Sequence, residues 1–167
     1  MKKHIIILFL FFVNLMVNAQ EEVSIQEEAI ALENAMYSNS YVVILETSND
    51  YFALRKKMFN LSKELNIEID TMDRGFDRKE KIISLPENYE DIIYAGFYYP
   101  RRFNSETLSL EYLNYYKDDS KFLEGPMALV TMITSDKKEA EERLKSIKMY
   151  EKKAFILQAR IYIACMH

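Results

Sequence analysis

The sequence is short of the residues that build disulfides, histidine-based sites and tight turns. It contains one cysteine, two histidines, three glycines and three prolines among 167 residues. One cysteine cannot form an internal disulfide, so a disulfide-stapled miniature fold is excluded and stability has to come from apolar burial. Outside the N-terminal segment the only histidine is His167, and a Ser–His–acid triad or a multi-histidine metal site is hard to build around it. Few glycines and prolines favour long helices and strands.

The first twenty residues have the three-part pattern of a secretory signal peptide. Lys2 and Lys3 precede an unbroken apolar run over residues 5–13, and Ala19 is the small residue that signal peptidase prefers. The run is shorter than the ~20 residues that a membrane span needs. We therefore expect residues 1–20 to be a signal peptide and the remaining chain to be periplasmic or secreted, with no stable membrane anchor after cleavage. An uncleaved membrane anchor is the alternative.

The chain without its first twenty residues is acidic. It has 20 basic and 26 acidic residues, a net charge of −6. This balance is unfavourable for a nucleic-acid binder or an anionic-membrane binder, which would carry a basic surplus. About 147 residues are enough for one core. We expect an acidic leader or short helix over residues 21–40, followed by a single domain over residues 41–167.

Two similar strand–helix units are predicted within this domain. In the first, a β-branched strand over residues 41–45 precedes an amphipathic helix over residues 52–65. In the second, a strand over residues 128–133 precedes a helix that Ser135 or Asp136 caps, and Asp136 with Glu139 fits a capping box. A further strand is predicted after each unit, over residues 66–70 and 154–165.

The middle of the chain, residues 72–125, is predicted to be an insertion in this pattern. Strands are expected over residues 92–99 and 108–116, with Asn104 and Ser105 turning a β-hairpin between them. The βαβ–βαβ order predicts one antiparallel sheet with two helices on one face. The fold class is therefore expected to be α+β.

The last predicted strand alternates between apolar and polar positions. Leu157 and Ile161 are among the residues predicted to be buried between the sheet and the helices. On the opposite face, Gln158, Arg160 and Tyr162 recur at every second position. This polar face is expected to be partly exposed to water.

The duplicated pattern resembles the SPOR domain, the sporulation-related repeat domain of exported bacterial proteins. The stretch ALVTMITSDKKEAEERLKSIKMYEKKAFILQARIYI resembles it most, with a strand, a capped helix containing Ala140 and Leu144, and the start of the last strand. The resemblance implies a ferredoxin-like βαββαβ antiparallel sheet, here with an inserted β-hairpin. It also implies binding of peptidoglycan glycan strands by the outer sheet face, which carries Gln158, Arg160 and Tyr162.

A second candidate ligand surface is the cluster of aromatic and basic residues over residues 94–103. Tyr98 and Arg101 are its representative members. Sugar rings stack their C–H faces on aromatic rings, and arginine donates to hydroxyls or carboxylates. The alternative is a half-buried strand whose aromatic side chains pack inward.

No metal, cofactor or catalytic set is predicted. Cys165 and His167 are two potential metal ligands at a chain end, where fraying makes a poor site. Acid pairs such as Glu141 and Glu142 lie in polar helical runs, whereas a glycosidase acid needs burial to raise its pKa. We expect a non-catalytic envelope module that binds peptidoglycan. A protein–protein module that uses strand addition is the first alternative, and a small secreted enzyme is the second.

Overall fold

The computed structural model describes residues 28, 30–118 and 120–164. The chain divides into two units, residues 1–37 and 38–167. In the first unit, residue 28 and residues 30–35 are helical. The predicted signal peptide, Cys165 and His167 lie outside the described residues. Within the described ranges, no helix is long and apolar enough to cross a membrane.

A four-stranded antiparallel sheet and two helices form the framework of the second unit. The elements are β1 (Tyr37–Ser48), α1 (Tyr51–Leu65), β2 (Gly75–Asp77), β3 (Ile82–Ser84), β4 (Ser109–Tyr112), β5 (Met127–Thr134), α2 (Lys137–Ile147) and β6 (Phe155–Tyr162), with short 3-10 helices at Leu113–Lys117 and Phe122–Glu124. The sheet order is β4-β5-β1-β6, and β2 pairs with β3 in a separate hairpin. β5 runs antiparallel to both β1 and β4.

The predicted α+β class is confirmed. The elements that build the main sheet and its helices follow the chain order β1, α1, β4, β5, α2, β6. This order, with β1 and β5 at the centre of the sheet, is compatible with a ferredoxin-like fold. The first strand begins at Tyr37, so the end of the region predicted as a leader belongs to β1.

Both predicted helices are confirmed, and aspartate caps start them. The Asp50 carboxylate accepts a hydrogen bond from the Ala53 amide at 3.0 Å, and Asp136 accepts one from the Lys138 amide at 2.7 Å. The fully buried helix residues are Leu54, Met58 and Leu61 in α1 and Ala140 and Ile147 in α2. Burial of each large apolar side chain contributes roughly 1.5–3 kcal/mol, so packing on the sheet stabilises these helices.

The insertion departs from its predicted form. Residues 92–96 form turns and residues 97–99 belong to no strand. The Asp91 carbonyl accepts hydrogen bonds from the amides of Tyr94 and Ala95, and these local bonds replace a strand ladder. The inserted hairpin is β2–β3 rather than a turn at Asn104 and Ser105. The sheet strand β4 lies inside the range that was predicted to be the insertion.

The predicted strand over residues 66–70 is also wrong. Asn66 ends α1 in the left-handed conformation. Beyond it, Ile69 makes one isolated parallel bridge with Leu108. Leu108 immediately precedes β4, and the bridge is limited to this one position, so the segment does not form a further strand of the sheet.

Apolar side chains are buried on both faces of the sheet. One cluster lies between the sheet and the helices, and it includes Val43 and Leu129. A second cluster, which contains Val42 and Ile44, packs the other face against Leu113 and Tyr116.

This second cluster reverses the predicted faces of β6. Ile161 belongs to it and Leu157 packs against it, whereas Ile156 packs against the helix-side cluster. The prediction that Leu157 and Ile161 pack with the helices is therefore wrong. Alternation along the strand puts Gln158, Arg160 and Tyr162 on the same side as Ile156, and the apolar positions face the other layer. The sequence pattern gave the alternation but not the side on which each helix lies.

Candidate functional site

A fully buried carboxylate, Glu111 on β4, joins the insertion to the sheet. Glu111 is 0% exposed. Arg74 donates to it through both terminal guanidinium nitrogens, at 2.8 Å to Oε2 and 2.6 Å to Oε1. The Tyr98 hydroxyl donates to Oε2 at 2.6 Å, and the Arg101 backbone amide donates to the same oxygen at 3.3 Å. Both carboxylate oxygens are therefore held by groups from the insertion.

The electrostatics of this cluster favour the ion pair. Burial alone would raise the pKa of Glu111, but the charge of Arg74 and the hydrogen bonds from Arg74 and Tyr98 outweigh it and hold that pKa below its usual value. Burial alone would lower the pKa of Arg74, but Glu111 raises it above its usual value. Burial raises the pKa of Tyr98, which keeps its hydroxyl protonated as a donor. The cluster is a fixed structural anchor.

Arg101 and Tyr98, which the sequence suggested as ligand-binding residues, donate hydrogen bonds to Glu111 instead. Arg101 is 3% exposed. Its guanidinium donates to the Thr107 carbonyl at 2.7 Å, to the Ser109 hydroxyl at 3.0 Å and to the Ser105 carbonyl at 2.8 Å. The Tyr98 ring is half-buried and packs against the helix-side cluster. The polar groups of both side chains therefore make hydrogen bonds within the protein.

The other candidates, Gln158, Arg160 and Tyr162, lie together on β6. Gln158 and Arg160 are exposed, and Tyr162 is half-buried. The sheet face opposite the helices, which the resemblance assigns to glycan, is packed against Leu113 and Tyr116. A ligand role for the three β6 residues stays a prediction.

Next to the Glu111 anchor lies an aromatic cavity of about 280 Å³, which we call the tyrosine cavity. Its lining residues are Met72, Asp73, Leu85, Tyr89, Asp91, Tyr94 and Tyr99. The rings of Tyr94 and Tyr99 meet nearly edge to face, with centroids 5.0 Å apart and planes at 70°. Two aromatic walls therefore form a corner, and the two aspartates supply the charged groups.

One side of the tyrosine cavity is a loop closed by backbone hydrogen bonds. The Gly96 amide donates to the Pro86 carbonyl at 3.2 Å, and the Leu85 amide donates to the Phe97 carbonyl at 2.9 Å. Gly96 has φ of +75°, a left-handed conformation that favours glycine. Asp91 stabilises the loop by accepting the Ile93 amide at 3.0 Å.

Another part of the lining holds two consecutive residues in the left-handed region. Met72 has φ of 52° and Asp73 has φ of 58°. Such backbone is costly outside glycine, and here the Asp70 carboxylate holds it by accepting the Met72 amide at 2.8 Å. The neighbouring Arg74 donates to the Tyr99 carbonyl at 2.9 Å. Arg74 thus links both walls of the cavity to the buried Glu111.

A second cavity of about 260 Å³ lies beside the first, and Leu85 lines both. The carboxylates that line this acidic cavity are Asp77, Glu80 and Glu87. Lys79 forms an ion pair with Glu80 at 3.0 Å, with its side chain 86% exposed. The two cavities give room for a ligand longer than one ring.

Metal binding has no support in the part of the chain that the structure describes. There, no group of three or more histidine, cysteine, aspartate or glutamate side chains is arranged to hold a metal ion. The tyrosine cavity instead offers hydrogen-bond acceptors and aromatic faces, which suit an organic ligand.

Comparisons with known proteins gave no match. No family model matches this chain, and neither curated proteins nor solved structures give a match. The resemblance to the SPOR domain therefore stays a prediction.

Sequence reasoning missed Glu111 and Arg74, and it did not single out Tyr89, Asp73 or Asp91. One signal was available for Glu111, a lone acid within the apolar run LSLEYL that was predicted to be a strand. A charge in such a run needs a buried partner. The partner, Arg74, is 37 residues away and gives no local signal.

Proposed function

We propose that this chain is an exported, non-catalytic binding module of the cell envelope whose ligand is the glycan of peptidoglycan. The observation that carries the proposal is the tyrosine cavity, where three tyrosines and two aspartates surround about 280 Å³. Export is supported by the signal-peptide pattern of residues 1–20.

The chemistry of the tyrosine cavity suits a sugar ring. A pyranose presents apolar C–H faces and a rim of hydroxyl groups. The Tyr94 and Tyr99 rings offer flat apolar surfaces, and a carboxylate such as that of Asp91 accepts charge-assisted hydrogen bonds from hydroxyls. Small apolar-lined cavities with a few polar groups are the usual form of a ligand site.

The site also has the rigidity that a binding module needs. The backbone that carries Tyr99 is fixed by Arg74, and Arg74 is fixed by Glu111 in the sheet. A wall held in this way loses little conformational entropy when a ligand binds.

A binding role fits the buried acid better than a catalytic one. A glycosidase acid has a raised pKa and reaches its substrate. The pKa of Glu111 is held below its usual value, and the side chain is enclosed by Arg74 and Tyr98. Glu111 therefore has neither the protonation state nor the access for this chemistry.

Binding to purified sacculi, with and without removal of stem peptides by an amidase, tests the proposal. We expect Tyr94→Ala to reduce binding at least tenfold, since stacking and shape are lost together. Tyr150→Ala is the matched control, because Tyr150 is an exposed tyrosine that does not line the cavity. Equal binding by the wild type and Tyr94→Ala, or no binding by the folded wild type, would contradict the proposal.

A second candidate function, a protein–protein module, is favoured by one feature of the same loop. Ile92, Ile93 and Phe97 are exposed by 85%, 58% and 65%. Clustered exposed apolar side chains are typical of protein contact surfaces. If an envelope protein is the true partner, two results are expected. The wild type does not bind purified glycan directly, and the double variant Ile92→Ser with Ile93→Ser is no longer recruited to the envelope.

A further inference from the structure

We infer that the glycan bound in the tyrosine cavity carries free amino groups, an inference that rests on the proposed function and specifies its ligand. The tyrosine cavity presents carboxylates together with aromatic rings, and no lysine, arginine or histidine lines it. This combination selects an ammonium group over a neutral acetamide and over an anion.

The first step concerns the aspartates. Asp73 and Asp91 line the tyrosine cavity, and both are exposed. Asp91 uses one oxygen, Oδ1, to accept the Ile93 amide. Asp73 has no hydrogen-bond or ion-pair partner among the described residues. Negative charge at the cavity mouth is thus available to a ligand.

The second step concerns the aromatic walls. An ammonium group over the face of a tyrosine is attracted by the negative face of the ring. Tyr94 and Tyr99 form a corner with ring planes at 70°, so one cation can contact two rings. Tyr89 adds a third ring to the lining. Rings and carboxylates at one cavity are complementary to an organic cation.

The third step concerns what is missing from the lining. None of the described residues that line the tyrosine cavity or the acidic cavity is lysine, arginine or histidine. Arg74 lies behind the wall and is neutralised by Glu111. Arg102 donates to the Tyr99 hydroxyl but is itself 5% exposed. An anionic ligand in the tyrosine cavity would therefore meet carboxylates and no lysine, arginine or histidine of the lining to pair with.

The acidic cavity extends the same preference along a polymer. Asp77, Glu80 and Glu87 line it, and Lys79 at its rim offsets one of these charges through its ion pair with Glu80. Leu85 lines both cavities, so the cavities are adjacent. When one sugar unit of an oligosaccharide occupies the tyrosine cavity, the next sugar unit lies toward the acidic cavity. A de-N-acetylated oligosaccharide fits this arrangement.

Calorimetric titration with glucosamine oligomers and with N-acetylglucosamine oligomers of equal length tests the inference. We expect the wild type to bind the amino oligomer at least tenfold more tightly, the scale of one charge-assisted interaction. Asp73→Asn with Asp91→Asn should remove this preference. Both changes preserve the fold, because asparagine tolerates the left-handed backbone at residue 73 and still accepts the Ile93 amide at residue 91.

The control separates a built site from general attraction of a polycation to an acidic chain. Glu141→Gln with Glu142→Gln removes two charges from the exposed face of α2, and it should leave the preference unchanged. If this control loses the preference as fully as the aspartate variant does, the inference is overturned. Equal wild-type affinity for the two oligomers also overturns it but leaves the proposed function standing, whereas binding of neither oligomer removes both.

Discussion

Replacing Arg74 with methionine should destabilise the protein severely, because it leaves Glu111 charged and without its main partner. The side chains of Arg74 and Glu111 are 2% and 0% exposed, and two hydrogen bonds of 2.8 and 2.6 Å join them. Removing one member of such a pair costs roughly 3–5 kcal/mol. A domain of this size has a total stability of about 5–15 kcal/mol, so the variant should be close to unfolding.

The size of this loss can be separated from lost packing by a double-mutant cycle. Glu111→Leu alone leaves the Arg74 guanidinium buried and unpaired, and it should also cost several kcal/mol. The double variant Arg74→Met with Glu111→Leu removes both charges, so its loss should be smaller than the sum of the single losses by at least about 2 kcal/mol. The Tyr98 hydroxyl loses its acceptor in Glu111→Leu and in the double variant, so the double variant should not regain the full stability of the wild type.

Urea unfolding followed by circular dichroism gives the four free energies of unfolding that the cycle needs. Arg78→Met is the matched control. Arg78 is exposed, and its guanidinium lies 5.2 Å from the centre of the Phe52 ring, so its loss should cost no more than about 1 kcal/mol. Similar small losses in Arg74→Met and Arg78→Met, or strictly additive losses in the cycle, would refute the role given to the buried pair.

Three further outcomes follow from other residues. Gly96→Ala should lose roughly 1–2 kcal/mol of unfolding free energy in thermal scans, since Gly96 has φ of +75°, whereas Gly75→Ala, with open space around it, should lose almost nothing. Stability should fall as pH drops through the lowered pKa of Glu111, and this loss should be smaller in Glu111→Gln; parallel pH curves would contradict the assignment. Ile147→Ala should cost roughly 2–5 kcal/mol, and Met149→Ala, at a side chain 79% exposed, under about 0.5 kcal/mol in urea titrations.

The direction of the pH effect follows from the proton balance of Glu111. Its pKa in the folded protein lies below its usual value, so the unfolded chain binds protons more readily in the acid range. The stability that Glu111 provides is therefore fully present above the pKa of the unfolded carboxyl. It is lost as pH falls through the folded pKa. Hydrogen bonds from backbone amides lower the pKa of Asp77, and the hydrogen bond from Lys57 lowers that of Glu151, so these groups contribute to the same acid loss and the comparison with Glu111→Gln isolates the buried group.

Local patterns were sufficient to predict the two helices and the central strands. Each helix combines an aspartate cap with an apolar stripe, and both features act within one or two turns of chain. The runs around residues 41–45 and 128–133 are apolar and β-branched over consecutive positions, which fits strands buried on both faces. The fold class followed from their order.

Local patterns failed where long-range partners decide the conformation. Residues 92–99 have strand-like composition, yet local hydrogen bonds to the Asp91 carbonyl shape them into the wall of a cavity. Residues 66–70 alternate as a strand does, but among the described residues they form only one isolated bridge, from Ile69 to Leu108 just before β4. Composition gives the tendency of a segment, and the tertiary partners decide whether it joins a sheet.

The alternation along β6 was determined by the sequence, because side chains on a strand point to opposite faces whatever surrounds them. Which face meets the helices was decided by the tertiary structure, where Leu113 and Tyr116 provide a second apolar layer for Ile161. The same holds for the candidate site. The sequence supplies tyrosines, aspartates and one acid in an apolar strand, but only the pairing of Arg74 with Glu111 across 37 residues brings the walls of the cavity together. Burial makes that pair strong and selective, and burial is a property of the folded chain.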